Sequence, residues 1–377
     1  MPVCRLFSPS IQRLIALSML LSVVQVSRAE SGVLARDDIC STAEVVAKKV
    51  SACAGAYYSG RWFPVDRQGS MQLSTTHGGS SFRLSVSKSS EVYVDLALNA
   101  GTKVSPRIAV YISENGGELK RSEFIDLELN NSITAYKIAE NLSPSSTYNI
   151  EVRVVGVSEF EDRWDNGGAL SVASVRPSPG GSVSPWVDDR AKVLFIGDSI
   201  VEGVAAKKEK GSITRNSAGD EAFGTIAAQL LDMSVINNGY GGVGLLVPGS
   251  GGWPAVTEST GFYMRGLPVT GESPKVIVAM LGTNDKVPDE EFESAYVLYL
   301  HQLKREYPDS KVMAMTPFSQ RYSSAISSAS KKAGVPLIET SGWGISTTDG
   351  VHPDTSEKGH RLAGEKTAEA IKAILRT

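Results

Sequence analysis

Lys192-Val193-Leu194-Phe195-Ile196-Gly197-Asp198-Ser199-Ile200 joins an unbroken apolar run to a turn that ends on a serine. The run lacks the polar alternation of a half-exposed strand, so it reads as a strand buried on both faces. Similar runs recur at Ser234-Val235-Ile236, Lys275-Val276-Ile277-Val278-Ala279-Met280-Leu281, Lys311-Val312-Met313-Ala314-Met315 and Val335-Pro336-Leu337-Ile338. Stretches of helical spacing separate them, over 220–231, 289–307, 323–332 and 357–375. This alternation predicts an α/β domain over 188–377, with a doubly wound, parallel, five-stranded sheet. Ligands of such sheets bind at the carboxyl ends of the strands, which is where Ser199 falls.

Upstream the period changes to two. Ser81-Phe82-Arg83-Leu84-Ser85-Val86, Val92-Tyr93-Val94-Asp95-Leu96, Ile108-Ala109-Val110-Tyr111-Ile112 and Tyr148-Asn149-Ile150-Glu151-Val152-Arg153-Val154 alternate, with Gly- and Asn-rich turns between them. They predict an all-β sandwich of jelly-roll type over 30–175. The Pro-, Gly- and Ser-rich stretch 176–187 reads as a linker between the two domains.

The first 29 residues carry Arg5 and Arg13, an apolar run from Leu14 to Val24, and Ser27-Arg28-Ala29. That is the pattern of a cleaved signal peptide, the alternative being an uncleaved anchor. The expectation is a secreted or periplasmic protein, off the membrane once the signal is removed. With the signal gone, Cys40 and Cys53 remain, and a lone pair in an oxidising compartment favours a disulfide. A competing signal is the capping box Ser41-Thr42-Ala43-Glu44, followed by apolar residues at helical spacing. A helix unbroken from 41 to 53 would hold the sulfurs roughly 18 Å apart, beyond bonding reach. Both readings stand on the sequence, with the disulfide favoured.

The 377 residues carry a formal charge of -3, with 41% hydrophobic and 21% charged residues. This is globular composition, with no basic excess to bind nucleic acid. No His, Cys, Asp and Glu set has metal-ligand spacing, and the glycine-rich 239–252 stretch lacks the Lys-Ser/Thr of a phosphate loop. No metal or cofactor is expected. His77, His301 and His360 read as structural.

Three short motifs fall just past strand ends, Gly197-Asp198-Ser199-Ile200, Asn237-Asn238-Gly239-Tyr240-Gly241-Gly242 and Gly282-Thr283-Asn284-Asp285, and a fourth, Asp349-Gly350-Val351-His352-Pro353, sits in the loop before the final helix. Their residue types suit acyl transfer. A serine hydroxyl needs a base, the base needs an orienting carboxylate, and the tetrahedral oxyanion needs fixed N–H donors.

With all four blocks in this order, the region 190–377 resembles the SGNH (GDSL) hydrolase superfamily. The resemblance implies Ser199 as nucleophile, His352 as general base and Asp349 as its orienter. The oxyanion donors it implies are the Ser199 N–H, the Gly242 N–H and the Asn284 side chain. A sandwich ahead of such a domain, with Ser59-Gly60-Arg61-Trp62 near its start, resembles the two-domain carbohydrate esterases of family 2. Their substrates imply an acetylated polysaccharide or oligosaccharide as partner, with short acyl groups removed from it. The alternatives are a lipase, arylesterase or thioesterase, an exported O-acetyltransferase, or a carbohydrate binder with an inert site. The glycine-rich stretch 243–271 carries Trp253 and Tyr263. These rings either stack on a sugar or pin the loop to the body.

Overall fold

The computed structural model describes residues 52–376, except 54, 68 and 166–169. The signal-peptide reading, the capping box and Cys40 lie outside the described residues. Ala52–Cys53 is a two-residue strand.

Twelve described strands build the N-terminal domain. They are β1 (Ala52–Cys53), β2 (Ala56–Ser59), β3 (Phe63–Arg67), β4 (Ser70–Thr75), β5 (Ser81–Ser87) and β6 (Val92–Leu98). Then follow β7 (Arg107–Glu114), β8 (Lys120–Asp126), β9 (Thr134–Ala139), β10 (Thr147–Gly156), β11 (Leu170–Pro177) and β12 (Ser182–Pro185). One sheet runs β1-β2-β5-β10-β7-β8 and the other β3-β4-β11-β6-β9, every pairing antiparallel. The inward side chains of both sheets form one core around Leu73, Phe82, Leu84, Val94, Ile108, Val110, Ile150 and Val152. Alternation along each strand dictates this: every second residue meets the facing sheet.

The linker expected over 176–187 is a correction. β11 runs to Pro177, and β12 pairs with β5 through Ser182↔Ser87 to Pro185↔Leu84. The Ser178-Pro179-Gly180-Gly181 segment is a tight turn, closed by a Gly181 N–H bond to the Ser178 carbonyl at 2.9 Å. Turn chemistry between two strands and linker chemistry share one composition, and only the pairing tells them apart.

The C-terminal sheet is made by β13 (Lys192–Gly197), β14 (Ser234–Gly239), β17 (Val276–Met280), β18 (Lys311–Met315) and β19 (Leu337–Ile338). Its order is β14-β13-β17-β18-β19, parallel throughout. A small hairpin, β15 (Phe262–Met264) with β16 (Leu267–Pro268), is inserted before β17. The helices are α1 (Ser199–Glu202), α2 (Phe223–Leu230), α3 (Val256–Ser259), α4 (Asp289–Glu306), α5 (Ser323–Ala333) and α6 (Leu362–Leu375). One face of the sheet packs on α4 and α5 through Leu194, Ile196, Ile277 and Ala279. The other packs on α2 and α6 through Val193, Phe195, Val276 and Val278. Apolar cover on both faces explains why these strands show no alternation. No described helix is long and apolar enough to cross a membrane.

Candidate active site

Ser199 sits where β13 ends and α1 begins. Asp198 caps α1, its Oδ1 accepting from the Ile200 N–H at 2.9 Å. The turn needs Gly197, because a Cβ there would lie 2.4 Å from Val201 Cγ2 and 2.7 Å from the Met280 carbonyl. As the first residue of α1, Ser199 has an N–H with no preceding helical carbonyl to bond.

The loop before α6 brings the imidazole to this serine. His352 Nε2 and Ser199 Oγ are 2.8 Å apart, and His352 Nδ1 and Asp349 Oδ2 are also 2.8 Å apart. Asp349 also organises its own loop, its Oδ1 accepting the Val351 N–H at 3.0 Å and the His352 N–H at 2.9 Å. The loop is closed by a bridge between Thr347 and Pro353, and the Thr348 hydroxyl ties it to the Ala205 carbonyl at 2.6 Å. Partial burial alone would raise the Asp349 pKa, but the bonds donated by His352 and Val351 prevail and hold it down at about 2. This carboxylate is therefore ionised over the whole working range of pH. Ser199 is almost fully buried, His352 half-buried and Asp349 exposed, so the triad runs from inside to solvent.

The Gly282-Thr283-Asn284-Asp285 motif, just past β17, holds the next loop. Asn284 Nδ2 donates to the Val243 carbonyl at 2.9 Å. Buried Asp285 accepts from the Leu245 and Leu246 N–H groups, both at 2.9 Å. The two side chains clamp 243–246 and so fix Gly242, which has a φ of 73° that glycine adopts without strain. Among the described residues no group accepts from the Gly242 N–H. Asn284 keeps a second amide hydrogen beyond the one given to Val243. Free N–H groups at fixed positions are what an oxyanion requires.

The two aromatic candidates behave differently from a sugar platform. Trp253 is only 2% exposed, stacked on Tyr240 at 3.5 Å and edge-on to Trp164 at 4.9 Å. Tyr263, on β15, packs against Phe63 of the N-terminal domain at 5.9 Å. Both rings pin the insertion to the body, and the stacking role for Trp253 is corrected by its burial. His77 and His360 are buried, and His360 Nδ1 accepts from the Phe223 N–H at 3.1 Å. His301 lies on α4. Among the described residues no group of three or more His, Cys, Asp or Glu side chains is placed to hold a metal ion.

The N-terminal domain presses charged side chains into this half of the molecule, which sequence reading missed. Arg163 is fully buried and bidentate to Glu202 of α1, at 2.6 and 3.2 Å. Glu202 Oε2 also accepts the Gly241 N–H at 2.8 Å. Arg61 donates to Asn238 Oδ1 at 2.8 Å, to the Thr260 carbonyl at 3.0 Å and to both oxygens of Glu272. Pairing across 39 residues for Arg163 and Glu202, and across 211 for Arg61 and Glu272, leaves no local signal. The arginine of Ser59-Gly60-Arg61-Trp62 was the one visible trace.

Ser199 at a strand–turn–helix junction, with His352 and Asp349 in hydrogen-bond succession behind it and N–H groups past two neighbouring strands, is an arrangement chemically able to carry serine acyl transfer. Residues 195–362 match the model of the GDSL-like Lipase/Acylhydrolase family. The chain thus carries a GDSL (SGNH) lipase/acylhydrolase domain and is a carboxylic ester hydrolase. Solved structures similar to nearly the whole two-domain arrangement include a family two carbohydrate esterase from Clostridium thermocellum in complex with cellohexaose. It shares 18% identity at a TM-score of 0.66, over 85% of this chain and 99% of that one. A family two carbohydrate esterase from Cellvibrio japonicus is 16% identical at a TM-score of 0.66, over 86% and 97%. The acetyl xylan esterase Est2A from the rumen bacterium Butyrivibrio proteoclasticus is 16% identical at 0.66, over 85% and 95%. At these identities the likeness is one of fold. No curated protein matches the chain in sequence.

Proposed function

We propose that this protein removes short acyl groups, chiefly acetyl, from a polysaccharide or oligosaccharide. The observation that carries the reading is the unbroken relay Ser199–His352–Asp349, with both of its side-chain contacts at 2.8 Å. His352 Nε2 takes the Ser199 proton as Oγ attacks the ester carbonyl. The tetrahedral oxyanion receives bonds from the Ser199 and Gly242 N–H groups and the Asn284 amide. His352 then returns the proton to the departing sugar hydroxyl, leaving an acyl-serine. Water, activated by the same imidazole, releases the acid and restores Ser199. Asp349 holds the imidazole with Nδ1 protonated and offsets the charge it acquires.

The carbohydrate half of the reading is supported by the two-domain likeness to carbohydrate esterases, one of them solved with cellohexaose and one named for acetyl xylan. Export is supported by the N-terminal charge and hydropathy pattern. The test is acetate release from acetylated xylan, mannan and simple sugar acetates, beside acetyl, butyryl and octanoyl esters of one leaving group. The expected result is acetate from a glycan and the highest kcat/KM on acetyl. Each well-buried methylene would otherwise favour binding by about 0.8 kcal/mol. A steady rise toward octanoyl, with no acetate from any glycan, would leave a general esterase in its place.

A further inference from the structure

The 158–165 segment follows β10 of the N-terminal domain and runs onto the catalytic half. Glu159 is half-buried against Gly241, where an added Cβ would lie 1.8 Å from its Oε2. Gly241 precedes Gly242, so this carboxylate stands beside the proposed oxyanion donor. Burial and the Glu202 charge push its pKa up, while Arg163, His352 and the Ser250 hydroxyl draw it down. Nothing in the mechanism above uses this group.

The segment is fixed from several sides. Glu161 accepts the Lys103 N–H at 2.6 Å, Arg163 is locked to Glu202 and to the Thr76 carbonyl at 2.9 Å, and Trp164 packs on Trp253. Gly251 lies directly under the segment, a Cβ there meeting the Glu161 carbonyl at 2.1 Å. Between these anchors Phe160 is left 69% exposed. A fixed segment that offers a carboxylate beside the Gly241-Gly242 turn, with an aromatic ring in solvent next to it, is preorganised for a ligand. An ionised carboxylate is an acceptor with about four lone-pair sites, suited to hydroxyl groups.

We propose that Glu159 is a substrate-positioning residue, accepting a hydroxyl of the sugar that carries the scissile ester, with Phe160 flanking that sugar. The N-terminal domain thereby completes the active site and selects hydroxylated alcohol moieties over plain ones. This rests on the carbohydrate reading of the site. The comparison is Glu159→Ala, Glu159→Gln and Phe160→Ala in the full chain, each assayed on an acetylated xylo-oligosaccharide and on an aryl acetate that has no free hydroxyl. Losing a hydrogen bond to a charged acceptor should raise KM for the sugar ester by roughly ten- to a hundredfold in Glu159→Ala. Glu159→Gln keeps one acceptor oxygen and should recover part of that loss. Phe160→Ala, at an exposed position that leaves folding intact, should raise the same KM by a few-fold. Phe160→Ala should retain kcat and KM on the aryl acetate within about twofold, and for both Glu159 variants the loss on the sugar ester should exceed the loss on the aryl acetate several-fold.

Equal losses on both esters would overturn the proposal and make Glu159 a support for His352. Unchanged KM on the sugar ester would overturn it outright. Failure of the carbohydrate reading looks different: the unmodified protein itself would hydrolyse aryl acetate and release nothing from any sugar ester.

Discussion

Asn284 holds the Val243 carbonyl with one amide hydrogen and has the other free for an oxyanion. Asn284→Ala should lower kcat by roughly 10²–10³ with KM little changed, the usual loss for one oxyanion donor. A change in KM alone would make it a ground-state contact. Asp349→Asn asks a different question. Its Oδ1 accepts two backbone N–H groups and its Oδ2 faces His352 Nδ1. An asparagine that keeps the first oxygen turns an NH₂ toward Nδ1 and favours the wrong tautomer. The loss in kcat should reach orders of magnitude, and a loss below about tenfold would mean that Ser199 and His352 work as a pair. Because the Asp349 carboxyl titrates at about 2, it binds its proton only as pH falls through that value. The acid limb of the kcat/KM profile in the ordinary range therefore belongs to another group, and Asp349 stays ionised across it. At this scale the sequence was informative, since Ser199 and Asn284 fall in short motifs past strand ends, and Asp349 and His352 share one in the loop before α6. Trp253 was not legible, because a ring that stacks on sugar and a ring that stacks on Tyr240 read alike.

The β13–turn–α1 element hides a cost. Asp198 is completely buried, and burial raises its pKa to about 6, the Ile200 N–H and nearby Thr283 hydroxyl offsetting only part of this. Its folded pKa thus lies above the unfolded value of 3.8. The folded state binds the proton more tightly, so stability falls as pH rises from about 4 to about 6 and stays lowered beyond. The penalty is on the order of 3 kcal/mol at neutral pH. Asp198→Asn keeps an oxygen for the Ile200 N–H and carries no charge. Its stability advantage in denaturant melts should grow between pH 4 and 6 and then level off. An advantage independent of pH would contradict this account of the turn. Elements of this half were legible because burial on both faces erases alternation. The α2 and α4 regions were expected within three residues of their observed ends. The 176–187 stretch failed for the opposite reason. Strand β12 is four residues long, and its partner β5 lies about a hundred residues away.

Across the whole molecule, the two domains share buried ion pairs rather than a flexible connection. Arg163–Glu202 and Arg61–Glu272 each join an N-terminal arginine to a C-terminal carboxylate, with both side chains nearly inaccessible. Arg163→Met strands Glu202 in the interior and should cost about 3–5 kcal/mol. Adding Glu202→Gln should recover part of that loss, because the second change removes the stranded charge. A cost under about 1 kcal/mol for the single variant would show that the pair is surface-like. Unfolding should be one transition for both domains, and residues 188–377 alone should be poorly folded. Apart from Arg61 in Ser59-Gly60-Arg61-Trp62, this was not readable in the sequence. The most direct test of the central claim is to quench the protein during turnover of an acetyl ester and locate the acetyl group by peptide mass spectrometry. The account expects a single acetyl ester on Ser199, absent from Ser199→Ala, which should be folded yet slower by orders of magnitude. Acetyl on another residue, or near-normal turnover by folded Ser199→Ala, would contradict it.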